Sequence, residues 1–384
     1  MTQLTEQAAE LLIADRAFAP APPGFVGAAV DVPALTPPEA RTRLRHGYLA
    51  ARSVRTAVVS GPPSPGLTNC LARMAEDLEL ARPMIAATGT PVADGPGRPD
   101  LGGSATDGPE ILHLDGSATD GFGILGPGGS ATDRSGIPRL GGSVAGGLSG
   151  PEVAGGGIRV ALEAGLEGGG PLGLAHRWRL AHTLAPVLAA AFANTPGGGW
   201  RSVRQAARRH LPVVPPGAPR EAWIAYAMDA PDPHGRSLRT RFREGSAPPA
   251  AELTRHLESL RPPVAARGHL EIDVADHQPG DGWPVPIAIV ATLLDDPQAA
   301  LDATAATAHL AAESELWERA AREALTDPVL AAAARDCFIA AYAALARQGA
   351  PRPLRDAVAD FTERYVLRGR TPADDILDRT AAQA

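Results

Sequence analysis

The sequence predicts an α+β fold with a helical C-terminal third, and three observations carry that expectation. Short apolar or alternating segments, FVGAAVDVP at 25–33 and RGHLEIDVAD at 267–276, read as strands. From about Trp283 onwards the chain is nearly all helix. A glycine-rich stretch from 89 to 157 has neither strand nor helix period and interrupts the first group.

Residues 5 to 18 read as a first helix, closed by the proline run at 19–24. After the strand at 25–33, Thr36 followed by Pro37 and Glu39 is a helix-start signal. Leu67, Leu71, Met74 and Leu78 lie at helical spacing and predict a helix to about Ala87. The interrupting stretch repeats GGSATDG, DGSATDG and GGSATDR every 13 residues. It lacks the nonapeptide period of a calcium-binding β-roll and reads as a flexible insert. Its GxGxxG at Gly121, Gly123 and Gly126 has no strand before it and no helix after it, so it is a decoy.

Order returns at IRVALEAGLEGGGPLG, followed by an apolar helix at 177–194 and a basic helical turn from Arg201 to His210. Residues 219–230 read as helix and 231–248 as a punctuated polar loop. The C-terminal helices fall at 284–294, 299–325, 328–348 and 351–368.

Net charge of −7 and a pI near 5.8 argue against a nucleic-acid-binding stripe or a polybasic membrane patch. All 36 basic residues are arginine. A P-loop lysine, a Schiff-base lysine and a Ser-Lys pair are therefore excluded, and any anion held by a side chain is held by Arg or His. Cys70 and Cys337 have no CxxC context, and Cys337 lies in an apolar helical stretch that places it in the core. The acidic, amphipathic N-terminus lacks a basic n-region, and no window reaches the ~18 continuous apolar residues of a membrane span. Neither a signal peptide nor a membrane partner is expected, and the expected location is cytoplasmic.

In HLEIDVAD a strand projects Glu271 and Asp273 on one face, roughly 6.5–7 Å apart along the backbone, a pattern suited to an oxygen-liganded Mg²⁺. The alternative is a half-exposed edge strand with a solvated polar face. Arg201 and Arg204, three apart after Asn194-Thr195-Pro196, suit the grip of a carboxylate or phosphate, with a solvated basic face as the alternative. His182 and His256 read as structural.

LEAGLEGGGPLGLAHRWRLAHTLAPVLAAAFANTP, GWRSVRQ, AWIAYAMDAP, HLESLRPPVAARGHLEIDVADHQPGDGWPVP and ERYVLRGRTPADD together resemble the actinobacterial glutamate–cysteine ligases that open ergothioneine biosynthesis. The resemblance covers about residues 160 to 380 and extends weakly through VGAAVDV and TAVVSGPPSP. It implies a glutamine-synthetase-like fold, a curved antiparallel sheet forming a funnel flanked by helices. It also implies one catalytic domain over 1–384, interrupted by the repeat at about 89–157. The implied reaction uses ATP and Mg²⁺ to join the γ-carboxylate of glutamate to the amine of cysteine through a γ-glutamyl phosphate. By resemblance, Arg267 and Glu271 are catalytic, Asn194, Arg201 and Arg204 hold substrate or nucleotide, and Asp31 and Glu271 bind metal. The chain departs from the family pattern at three places. Ala29 and Asp31 stand where the family has Glu-x-Glu, Val58 where it has Glu, and Asp273 where it has Arg. A weakly active or inactive paralogue that binds an amino acid, a nucleotide or a partner subunit is the alternative. Oligomeric state is left open.

Overall fold

β1 (Phe25–Pro33) is the strand around which the fold is arranged. It is antiparallel to β4 (Thr56–Ser60) on one side and to β6 (Gly157–Leu162) on the other, and β5 (Ser64–Pro65) pairs with its start. The full sheet runs β2-β3-β4-β1-β6-β8-β7 and is antiparallel at every ladder. Here β2 is Thr42–Arg43, β3 Tyr48–Ser53, β7 Val264–Ala266 and β8 Leu270–Asp276. The computed structural model describes residues 4–19, 24–34, 37–86, 156–232 and 234–383, so the repeat lies outside the described residues.

Period-two alternation gives the sheet two different faces. Val26, Ala28, Val30, Ala57, Val59, Ile158, Val160, Leu162, Leu270, Ile272 and Val274 all join the large apolar core. Against that face lie α3 (Leu174–Ala191), packed on β8, and α8 (Pro284–Asp295), packed on β6. Eight apolar residues among the twelve of α8 leave it no polar side, and it is buried nearly all round. The opposite, polar face carries Asp31, Arg159, Glu271 and Asp273 beside a small separate cluster of Phe25, Ala29, Val58 and Ala161.

The α+β expectation holds, and so do the strand at 25–33 and the helices α1 (Glu6–Ala17) and α2 (Gly66–Ala86). The side chain of Thr5 caps α1 by accepting from the Ala8 amide. Four readings need correction. Thr36 of the helix-start signal lies outside the described residues, and the segment from Pro37 runs into the β2–β3 hairpin rather than a helix, because Asp77 of α2 accepts the His46 and Gly47 amides and fixes a turn there. Gly47 is needed in that turn, since a Cβ would lie 1.9 Å from the Ser60 carbonyl oxygen. The loop at 231–248 contains a short helix, α6 (Leu238–Arg243), started by the Ser237 cap.

The predicted helix at 299–325 is broken into α9 (Pro297–Thr307) and α10 (Leu316–Arg322) by left-handed backbone at Glu315 and ends at a second such residue, Ala324. Finally, β8 is no edge strand. It lies between β6 and β7 and is buried along its whole length. Between α3 and β7 lie α4 (Val203–Ala206), α5 (Pro219–Asp229) and α7 (Ala250–Ser259), and α11 (Pro328–Arg347), α12 (Arg352–Arg364) and α13 (Pro372–Gln383) complete the chain.

By length and composition α11 is apolar enough to cross a membrane, but 56% of its most apolar window is buried inside the fold. Arg335 and Asp336 interrupt it, and Cys337 packs in the core with no exposed surface, as its apolar context predicts. Burial pushes the Cys337 thiol up to about 12, so it is an unreactive core group.

Candidate functional site

The polar face is held together by guanidinium–carboxylate pairs, starting at the end of β1. Asp31, 3% exposed, accepts from Arg159 of β6 at 3.1 Å and from the Gly157 amide at 3.0 Å. Arg52 of β3 approaches the same carboxylate at 3.3 Å and reaches Asp273 of β8 at 4.0 Å. Asp273 is gripped from the other side by Arg204 of α4 and by Arg208, one helical turn further on. Arg208 also donates to the Asp273 backbone carbonyl, and Arg204 to that of Ala275. Four strands and the segment after α3 thus converge on one lattice of charge.

Close approach of backbone makes the lattice possible. A Cβ on Gly157 would lie 2.3 Å from an Arg204 guanidinium nitrogen, and one on Gly156 would lie 2.8 Å from the Asp31 Cβ. Only glycine fits at either position without displacement. Burial opposes ionisation of Asp273, but Arg204, Arg208, Arg159 and Arg52 outweigh it and hold its carboxyl well below the usual range.

Glu271 sits two residues back on the same face. Burial pushes its carboxyl up, while Arg267, Arg159 and His269 pull it down to about 2. Arg267 donates to it at 2.7 Å across the β7–β8 turn and is anchored by the Leu257 and Leu260 carbonyls. His269 shares the face, edge-on to Phe25 with centroids 6.2 Å apart, and burial holds its imidazole down at about 4.

The structure sorts the residues singled out from sequence. Arg267 and Glu271 are joined, and Arg204 reaches the same strand. Asn194 fixes the end of β8 rather than facing the lattice: its amide donates to Asp276, as does the Thr195 hydroxyl, and its side chain donates to the His277 carbonyl. Arg201 diverges from Arg204. It precedes Ser202, the cap of α4, and donates to Asp374 at 2.8 Å, tying down the start of α13. Three-residue spacing does not bring these two arginines together, because only one of them lies on the helix. His256 donates from Nε2 to the Ala227 carbonyl, and His182 is half-buried against Trp178, so both read as structural.

Arg52, Arg159 and Arg208 escaped the sequence reading. Each has a signal: Arg159 and Arg52 alternate with apolar neighbours in IRVAL and YLAARS, and Arg208 lies four residues after Arg204.

The acids do not form a cation cage. Asp31, Asp273 and Glu271 are each paired with arginine, and among the described residues no group of three His, Cys, Asp or Glu side chains could hold a metal ion. Asp31 and Glu271 share a face but stand apart. Glu271 faces Ala161, and Ala161 faces Gly27, which is a strand distance of roughly 13 Å from Asp31. A divalent ion needs several free oxygens at one point, so this donor set does not fit Mg²⁺ as it stands.

Residues 153–384 match the model of glutamate-cysteine ligase family 2, which is more than half of the chain and includes β6, α4 and β8. The chain belongs to that family. Among curated relatives, the glutamate–cysteine ligase EgtA of Mycolicibacterium smegmatis is 36% identical over 252 residues, covering 58% of this chain and 57% of the relative. Its counterpart in Mycobacterium tuberculosis is 34% identical over 254 residues, with the same shares. The chain therefore matches little more than half the length of these relatives.

Proposed function

We propose that this chain is an ATP-dependent glutamate–cysteine ligase of the cytoplasm, acting in the first step towards ergothioneine. The observation that carries the reading is where the family match falls: it covers the segments that supply Arg159, Arg204, Arg208, Arg267 and Glu271. The reaction brings together three polyanionic or carboxylate-bearing reactants, glutamate, cysteine and ATP taken as its magnesium complex, and joins the first two. The γ-carboxylate of glutamate attacks the terminal phosphorus of ATP, and ADP leaves. The cysteine amine then attacks the acyl phosphate, loses a proton, and inorganic phosphate departs.

Arginines suit both stages, since a guanidinium matches carboxylate and phosphoryl oxygens in a planar fork and keeps its charge at any working pH. In this reading Arg267 stabilises developing phosphoryl charge, Glu271 orients Arg267, and Arg204 holds a reactant carboxylate or phosphate when that group displaces Asp273. Asn194 and Arg201 act at a distance, by fixing the end of β8 and the start of α13. The described parts on either side of the repeat form one sheet through the β1–β6 ladder, which supports a single domain interrupted at about 89–157.

A second reading, a weakly active or inactive paralogue that binds an amino acid or nucleotide, is favoured by specific positions. Ala29 and Val58 present only apolar surface to the polar face, and Asp273 already fills an arginine cluster. One assay separates the two: the full-length protein with ATP, magnesium, glutamate and cysteine, scored for ADP and γ-glutamylcysteine. Equal amounts of both products are expected. No ADP above a protein-free control would sink the ligase, and calorimetric binding of ATP or glutamate would then establish the second reading.

A further inference from the structure

Asp273 has more positive charge around it than a buried carboxylate needs. Arg204 takes one oxygen, Arg208 takes the other, and Arg52 stands 4.0 Å from that second oxygen. One well-placed guanidinium suffices to satisfy a buried carboxylate, and each additional one costs desolvation and mutual repulsion. Asp31 and Asp276 share this charge, Arg52 lying 3.3 Å from Asp31 and Arg204 3.6 Å from Asp276, yet Arg52, Arg159, Arg204 and Arg208 together still carry one more positive charge than these three aspartates balance. Moreover, β6 carries glycine at 157 where any side chain would collide with the Arg204 guanidinium. The fold thus brings three guanidiniums, from β3, α4 and the turn after it, around the volume of a single oxyanion.

We propose that Arg52, Arg204 and Arg208 form a binding site for an oxyanion, either a phosphoryl or a carboxylate group, and that Asp273 occupies it as a tethered stand-in for that ligand. The two Asp273 oxygens mark where the ligand's oxygens would sit. With Asp273 in place, a free anion gains nothing from the cluster. With its charge removed, one buried and two half-buried cations are left facing one acid fewer, and an anion from solution is drawn in because charges this far from bulk water are incompletely screened. The proposal deepens the ligase reading, because the displaced ligand would be a reactant's carboxylate or phosphoryl group. It rests on static geometry, so its test needs no turnover and either idea can fail alone.

The test compares the full chain with Asp273→Ala and Asp273→Asn, measuring binding of inorganic phosphate and of acetate by calorimetry, together with melting temperature at matched ionic strength in chloride. The wild-type melting temperature is expected to ignore both anions. Asp273→Ala is expected to melt lower in chloride, to recover with phosphate or acetate, and to bind its preferred anion at least tenfold more tightly than wild type. Phosphate preference assigns a phosphoryl ligand; acetate preference assigns a carboxylate. Asp273→Asn keeps the volume and removes only the charge, so it carries the test if the alanine variant does not fold. Adding Arg208→Gln to Asp273→Asn should cost most of the gained affinity. Equal anion binding by wild type and both variants, or anion binding in Asp273→Asn that is indifferent to Arg208→Gln, overturns the proposal.

Discussion

Two patches lie side by side on the polar face of the sheet and are built on opposite physical terms. Phe25, Ala29, Val58 and Ala161 form a small apolar patch, with Ala50 packed against it. Immediately next to it, Asp31, Arg52, Arg159, Asp273, Arg204 and Arg208 form a charged lattice. The apolar patch gains free energy group by group as surface leaves water. The lattice gains only if all its partners arrive together, because a buried charge left alone is costly. A residue in the first patch is therefore replaceable, and one in the second is not.

The comparison breaks most visibly at Arg204. Arg204→Ala leaves Asp273 and Asp276 facing less positive charge in a buried setting, and a loss of ~3–5 kcal/mol is expected in urea unfolding. A loss under about 1 kcal/mol, the range of an exposed pair, would mean that the lattice is solvated. Glu271→Gln comes next. Its carboxyl, normally near 4.5, is held at about 2 in the folded chain. A carboxyl depressed on folding contributes stability above its unfolded pKa and loses it as pH falls through the folded one. The wild type should therefore lose about 3 kcal/mol between roughly pH 5 and pH 2 from this group alone. Glu271→Gln should be less stable at neutral pH by a similar amount and show a shallower acid slope; parallel slopes would remove Glu271 from the lattice.

Gly157→Ala should cost ~1–3 kcal/mol, as overpacking against Arg204. Combined with Arg204→Ala, its added cost should vanish, and simple addition of the two in a double-mutant cycle would refute the contact. Smallest of all, Val58→Ala should cost about 1–2 kcal/mol, the transfer of two methyl-sized groups, with no change in pH dependence. A new acid sensitivity in that variant would show that the two patches are not separable.

The sequence made the sheet's apolar logic plain and its charge pairing only half plain. FVGAAVDVP and HLEIDVAD alternate, so the strands, their faces and the co-orientation of Glu271 with Asp273 could be read directly. Which arginine answers which acid could not, because that depends on strand order and on the segment after α3, and neither leaves a local pattern. Arg201 and Arg204 illustrate the limit. Their spacing suggested a shared grip, yet the Ser202 cap starts the helix between them and sends them to different partners. The β2–β3 hairpin was misread because its turn is imposed by Asp77, some thirty residues away in the chain. Asp273 shows the reverse: read alone it suggested a metal ligand, and its surroundings make it an arginine-bound counter-charge.

The pair between Asp31 and Arg159 also bears on how the chain finds its alignment. More than one hundred residues separate β1 from β6, so nothing local dictates how they meet. Apolar alternation rejects a slip by one residue, which would drive Arg159 into the helix-packed core, but a slip by two leaves every apolar residue on its proper side. Charge supplies the missing discrimination. Arg159 faces Ala29 across the ladder and reaches diagonally to Asp31. A two-residue slip one way would carry Arg159 opposite Gly27 and part the pair, and a slip the other way would bring Arg159 to the place where only glycine fits over Arg204. The lattice thus acts as a proofreading mark for strand threading, rejecting the near-miss that hydrophobicity alone would accept.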